Sequence, residues 1–292
     1  MEGSLEPATI CEMHPTITPA EVQERYRTTD FGGFLDAYKW VSRLLQTPQQ
    51  YALATRHLLQ RLQTENVSYV ELTLSVGVIL WKKQNVADIF EAINKETQQS
   101  PIPCFWIFDF IRHFELDHAM EVAEWAIAYR NAGVVGFGCG GDESCGPATK
   151  YLPAFQKAQS AGLHLAPHAG ETSNAESIWD ALRVGAERIG HGIRAAEDPT
   201  LLAELRQNKI PLEICISSNV ATGAVAALKN HPVRRIADAG VAIILNTDDP
   251  AMFRTTLSGE YAKAGELGFN ENELQQLAEE SFLHAFQSQG AA

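Results

Sequence analysis

The chain has 292 residues, 45% of them hydrophobic and 20% charged, with a formal net charge of −13. This suits one large folded domain or two modest ones, and 21 glycines with 13 prolines are too few for a collagen-like or linker-like chain. The negative charge argues against sequence-independent nucleic-acid binding, which needs a cationic face to displace counterions. No apolar run, Val76–Trp81 included, is long enough to span a bilayer. The five cysteines (Cys11, Cys104, Cys139, Cys145, Cys215) are scattered and form no Cys-x-x-Cys pair. A reducing, cytoplasmic setting is therefore expected rather than a disulfide framework. The opening Met-Glu-Gly-Ser-Leu-Glu-Pro has neither the basic nor the apolar stretch of a signal peptide.

Two segments of helical length, residues 31–45 and 49–63, come first. They are long enough to cover one end of a barrel, and would serve equally as an outer layer. Seven short apolar runs follow: 69–75, 102–111, 134–138, 163–168, 188–191, 211–217 and 241–247. Most are apolar on both faces, which suits parallel strands covered by helices. Amphipathic segments at 120–131, 175–184, 200–207 and 231–239 lie between them. This strand-then-helix alternation predicts an α/β fold with right-handed crossovers, and a TIM (β/α)8-type barrel accommodates it. Seven strands are one short of that barrel's eight. A doubly wound nucleotide-binding sheet is disfavoured, because no GxGxxG follows the first strand and no P-loop occurs. The glycine-rich stretch 137–141 reads as a strand-end turn rather than a phosphate cradle.

Polar residues gather where these strands would end, the end of a parallel barrel at which active sites form. Gly170 lets the chain turn between His168 and Glu171, so both side chains can enter one cavity, as a metal ligand with an acid neighbour or as a plain ion pair. Asp248 and Asp249 follow a Val-Ala-Ile-Ile-Leu run, and two anions at the edge of an apolar core call for a cation or for donors. A helix N-cap is the alternative for one of them. His191 lies between two glycines that leave its imidazole accessible. Histidine, glutamate and paired aspartates at one barrel mouth describe metal-assisted hydrolysis. The remaining histidines, His231 among them, read as structural. Cys215 reads as a buried, inert thiol, and Ser217-Ser218 lacks the GxSxG elbow of a serine hydrolase.

With VSYVELTLS, GGDE, HAGE, RIGHGI, CISSN and NTDDP in this order, the sequence resembles the adenosine deaminase family of the amidohydrolase superfamily, from Met1 to about Phe282. The resemblance implies one metal-dependent hydrolase domain over residues 1–292, a helical lid-like region within it at 6–65, and one catalytic Zn2+. It implies that His168 and Asp248 bind zinc, that Glu171 protonates the purine ring at N1, and that His191 orients and helps deprotonate zinc-bound water. Asp249 would meet N7, and the backbone N–H of Gly141 would meet N3. The implied reaction releases ammonia from the 6-amino group of adenosine or a related purine nucleoside, with no nucleic-acid or membrane partner. Deamination of adenine, or of 6-aminodeoxyfutalosine in menaquinone biosynthesis, is the close rival, and a metal-depleted purine binder is the non-catalytic alternative. Family members carry a His-x-His pair at the end of the first strand, followed by a stretch that Met1-Glu2-Gly3 matches. Two zinc ligands and that strand are thus expected to be absent, and the chain to bind zinc poorly, to be inactive and to be marginally stable. Glu2 stands where animal-type adenosine deaminases have Asp near the ribose, a variant similar to relatives acting on adenine or aminodeoxyfutalosine.

Overall fold

The computed structural model describes residues 1–287. The apolar runs become β1 (Val70–Leu74), β2 (Cys104–Ile111), β3 (Val134–Gly140), β4 (His164–Leu165), β5 (His168–Ala169), β6 (Ile189–His191), β7 (Leu212–Ile214) and β8 (Ile243–Leu245). Every pairing is parallel, in the orders β1-β2-β3-β4 and β5-β6-β7-β8. Pro167 has no N–H to give and interrupts the ladder between β4 and β5. The pairing nevertheless continues, from the Ala166 amide to the Phe137 carbonyl (3.1 Å) and from the Gly190 amide to the Pro167 carbonyl (3.0 Å). These two strands are halves of one stave, giving seven among the described residues. Among the described residues no strand ladder joins β8 to β1. The N-terminal residues touch both sides there, the Met1 ammonium donating to the Thr73 carbonyl (2.7 Å) and the Ala251 amide to the Gly3 carbonyl (3.2 Å).

Helices follow the strands as the patterning predicts, at Leu116–Ala128, Ala175–Arg183, Pro199–Asn208 and Val233–Asp238. Their starts are set by local chemistry: Asn174 caps the second, and Asp198 caps the third ahead of Pro199. The run at 211–217 is corrected. Its strand stops at Ile214, and Ile216–Ala221 is a short helix, so Ser217, Ser218 and Asn219 sit on a helical turn. One buried cluster gathers around β1 to β4, with Trp106, Phe108, Phe110, Phe137 and Phe155, and a second, largely aliphatic one around β5 to β8.

The leading helices divide between the barrel's wall and its mouth. Pro48–Thr64 lies against Val86–Gln98, where Arg56 pairs with Glu96 (2.8 Å). Phe31–Leu44 instead reaches the carboxyl ends of the strands. Its Tyr38 hydroxyl is 2.8 Å from Ser75 Oγ, just beyond β1, and donates to Glu2 (3.3 Å). The Phe34 ring lies 5.2 Å from that of Phe253, in the loop after β8. At the opposite end, buried Arg188 pairs with Glu71 and with Glu213 (2.9 Å) beneath the ring of Phe286, 3.5 Å away. No described helix is long and apolar enough to cross a membrane.

Candidate active site

His168, Glu171, His191, Asp248 and Asp249 all lie at the carboxyl ends of β5, β6 and β8. His168 opens β5, and Arg112 donates to its carbonyl from the end of β2. Burial, then the neighbouring His191, pull the His168 pKa down to about 4, so the ring is neutral at physiological pH. A neutral imidazole has a lone pair free for a metal. Gly190 makes the position possible: a Cβ there would lie 2.4 Å from His168 Cδ2.

Glu171 is held by a carboxylate that sequence reasoning left unassigned. Glu143, in the turn after β3, accepts from the amides of Gly170 (2.8 Å), Glu171 (2.7 Å) and Thr172 (2.9 Å). Burial opposes ionisation of Glu143, but the Ser177 hydroxyl and these amides keep its pKa below the usual value. The clamped turn turns Glu171 into the interior, where its Oε2 is 3.6 Å from His191 Nε2. Burial raises the Glu171 pKa to about 7, with Asp248 and Glu143 adding to the rise and His191 opposing it. The carboxyl thus stays substantially protonated near neutral pH.

His191 Nε2 also lies 3.9 Å from Asp248. His191 and Asp248 both have left-handed backbones, with φ of 62° and 56°. Such conformations cost non-glycine residues about 1–3 kcal/mol each and gather at functional sites. Burial works against a charge on His191, but the carboxylates of Glu171 and Asp248 outweigh it and raise its pKa. Asp249 is pushed well above the usual carboxylate range by burial and by Asp248. Its side chain fills the space over Gly3, where a Cβ would come within 1.9 Å of Asp249 Oδ1. Gly141, at the turn after β3, has a φ of 88°.

The chamber is rich in buried carboxylates. Besides those at the strand ends it holds Asp109 and Glu2, with Asp109 Oδ1 and Glu2 Oε1 lacking hydrogen-bond partners. Burial and the charge of Glu2 raise the Asp109 pKa well above its usual value. This surplus of anionic groups suits a cation. Among the described residues His191, Cys215 and Asp248 place ligand atoms within 4.8 Å of one another. Cys215 is buried, however, and burial with its acidic neighbours lifts the thiol well above its normal pKa, in keeping with an inert thiol.

A parallel α/β barrel with histidine and carboxylates converging at its strand ends has the form of the amidohydrolase superfamily. The family model for adenosine deaminase matches residues 1–291, and the chain belongs to that family. It is 37% identical over 300 residues to the aminodeoxyfutalosine deaminase of Streptomyces avermitilis, covering 97% of this chain and 84% of that protein. It is 33% identical over 296 residues to the adenine deaminase of Agrobacterium fabrum, covering 98% and 91%. The crystal structure of an adenine deaminase from Arthrobacter aurescens superposes with a TM-score of 0.91 at 30% identity, covering 98% and 91% of the two chains. The TIM-barrel class that the resemblance implies is thereby established, although among the described residues strand hydrogen bonds do not close the ring.

Proposed function

We propose that the chain hydrolyses the 6-amino group from a 6-aminopurine compound and releases ammonia. The observation that carries this is Glu171, a buried carboxyl titrating at about 7 beside an imidazole and a second carboxylate. In its protonated form it donates to ring nitrogen N1, which makes C6 electrophilic. Asp249, whose protonated form burial and Asp248 favour, can then donate to N7, which only accepts. The Gly141 N–H meets N3. His191, facing both Glu171 and Asp248, orients the water that attacks C6. The new C–O bond forms as the water's proton passes to Asp248 and the ring takes the Glu171 proton at N1. The proton on Asp248 then reaches the amino group, the C6–N bond breaks to release ammonia, and the C6 hydroxyl returns its proton to Glu171. Within the helical region at 6–65, Phe31–Leu44 serves as part of a lid over this chamber.

The surplus of buried carboxylates fits a divalent cation, with neutral His168 and Asp248 as this chain's ligands and zinc as the metal. When bound, such an ion acidifies water to a pKa of roughly 7, so that hydroxide is available at neutral pH. Adenine and aminodeoxyfutalosine, the substrates named for the similar relatives, are the leading candidates, with adenosine next. The test is ammonia release from each of the three, using protein stripped with a chelator and then reloaded with Zn2+. Metal-dependent release that disappears in Glu171→Gln supports the reading. Purine binding without ammonia from any substrate at full metal loading would leave a non-catalytic binder.

A further inference from the structure

A backbone N–H can only donate, and one such group sets the direction of a buried side-chain chain ending at His191. The Val233 amide, at the start of helix Val233–Asp238, donates to Nδ1 of His231 (3.2 Å). That nitrogen therefore accepts, and a neutral His231 carries its proton on Nε2. Burial, then the nearby His191, bring the His231 pKa down to about 4, so the neutral form prevails. The Nε2–H of His231 faces the side-chain oxygen of Asn219 at 3.1 Å. With its oxygen engaged there, Asn219 presents its amide N–H to Nδ1 of His191, also at 3.1 Å. His231, Asn219 and His191 are all buried, at 5%, 0% and 2% exposure, so bulk water offers no substitute partners.

We infer that Asn219 and His231 are positioning residues whose relay from the Val233 amide fixes His191 in the tautomer protonated at Nε2, so that His191 enters the active site as a hydrogen-bond donor. The opposite tautomer would require Nδ1–H to face the Asn219 oxygen. Asn219 would then turn its NH2 toward His231, whose Nε2–H already points there because the Val233 amide occupies Nδ1. A doubly protonated His191, the form that Glu171 and Asp248 favour, meets the same conflict at Nδ1, which opposes that gain. Two donors would collide in a sealed space, and a buried unpaired donor costs about 1–3 kcal/mol.

The consequence for the reaction rests on the deaminase reading; the tautomer does not. A donor at Nε2 holds the lone pairs of the attacking oxygen and then stabilises the negative charge that grows on it. It does not take the water's proton, which passes instead to Asp248, the carboxylate that His191 also faces. This departs from the base role that the family resemblance gives His191.

The experiment is two-bond 1H–15N correlation spectroscopy on histidine-labelled protein, with ring signals assigned through His191→Gln and His231→Gln. The expected wild-type spectrum shows unprotonated Nδ1 and protonated Nε2 for both rings. In Asn219→Asp, whose carboxylate accepts from either side, His191 Nδ1 becomes protonated. The accompanying kinetic change is a fall in kcat of about 10²-fold, with KM within about threefold. A protonated His191 Nδ1 in the wild-type protein overturns the inference even where the variant fails to fold. So does an Asn219→Asp spectrum identical to wild type. Because the spectra need no substrate, a protein that deaminates nothing can still pass this test, and failure of the functional reading remains separable.

Discussion

Replacing Gly190 by alanine tests whether the position of His168 matters as the site requires. The added Cβ would stand 2.4 Å from His168 Cδ2, 3.1 Å from Cγ and 3.3 Å from its Cα. Ordinary carbon contacts lie at about 3.5–4.0 Å, so the ring must retreat by roughly 1 Å or the strands must part. Metal–ligand distances tolerate only about 0.2 Å, and a 1 Å misplacement at a reacting centre costs about 10²-fold. The expected outcome is a kcat/KM reduced at least about 10²-fold, with a lower Zn2+ content per chain. Overpacking of this kind costs about 1–3 kcal/mol. At about 2–4 °C per kcal/mol for proteins approaching this size, Tm should fall by roughly 2–12 °C. Gly265→Ala is the control, because it lies in helix Leu257–Glu266 and its Cβ would meet nothing closer than 3.8 Å. It should retain activity and gain about 0.5–1 kcal/mol. Wild-type ammonia release, metal content and melting temperature in Gly190→Ala would refute the reasoning.

The other expectations concern charge. A reaction that needs protonated Glu171 loses kcat/KM as pH rises through about 7, so a profile flat from pH 6 to 9 contradicts the acid role. The same raised pKa means that the folded state holds a proton the unfolded state has released, and stability falls as pH rises from the ordinary carboxyl value toward 7. Glu171→Gln should then be inactive and, by thermal melting at pH 8, more stable than wild type by up to about 3 kcal/mol. Glu143→Gln keeps one oxygen acceptor but sets an NH2 donor against an amide that the carboxylate's second oxygen accepted from. Hydrogen exchange at residues 170–172 should accelerate while kcat drops, and unchanged exchange would show that the clamp is not what orders the turn. Arg188→Met leaves Glu71 and Glu213 facing each other in a buried floor. Breaking such a pair costs about 3–5 kcal/mol, to be read from chemical denaturation, and a loss under about 1 kcal/mol would show the carboxylates compensated elsewhere.

The staves were legible because buried parallel strands are apolar on both faces, and the site residues because polar groups at the ends of such runs have little other reason to be there. His168, Glu171 and Asp248 lie around His191, and Asp249 follows Asp248 in the chain. What the sequence hid depends on direction rather than residue type. Glu143 stood in a recognised GGDE stretch, but nothing local told which of its groups would turn toward a loop 27 residues on. His231 read as structural, and only the placement of the Val233 amide connects it to His191. The strand expected at 211–217 ends at Ile214 instead, because Ile216 and Cys215 suit a helix as well as a strand, and hydrophobic pattern alone cannot separate short elements of either kind.

The floor of the barrel has a bearing on how the chain folds. The Phe286 amide donates to Glu71 Oε1 (2.7 Å), a residue 215 positions earlier. Its ring caps Arg188 and stacks on His164, 4.4 Å between centroids. Three staves are thus tied together by a residue made long after any of them. During synthesis β1 and β6 can pair with their neighbours, but the ionic cluster between them stays open to water until that late residue arrives. A contact that spans 215 residues carries the loop-closure cost of a distant pairing rather than the gain of local propensity, and a protease that trims the chain before Phe286 would act on the barrel's foundation while leaving every residue of its mouth in place.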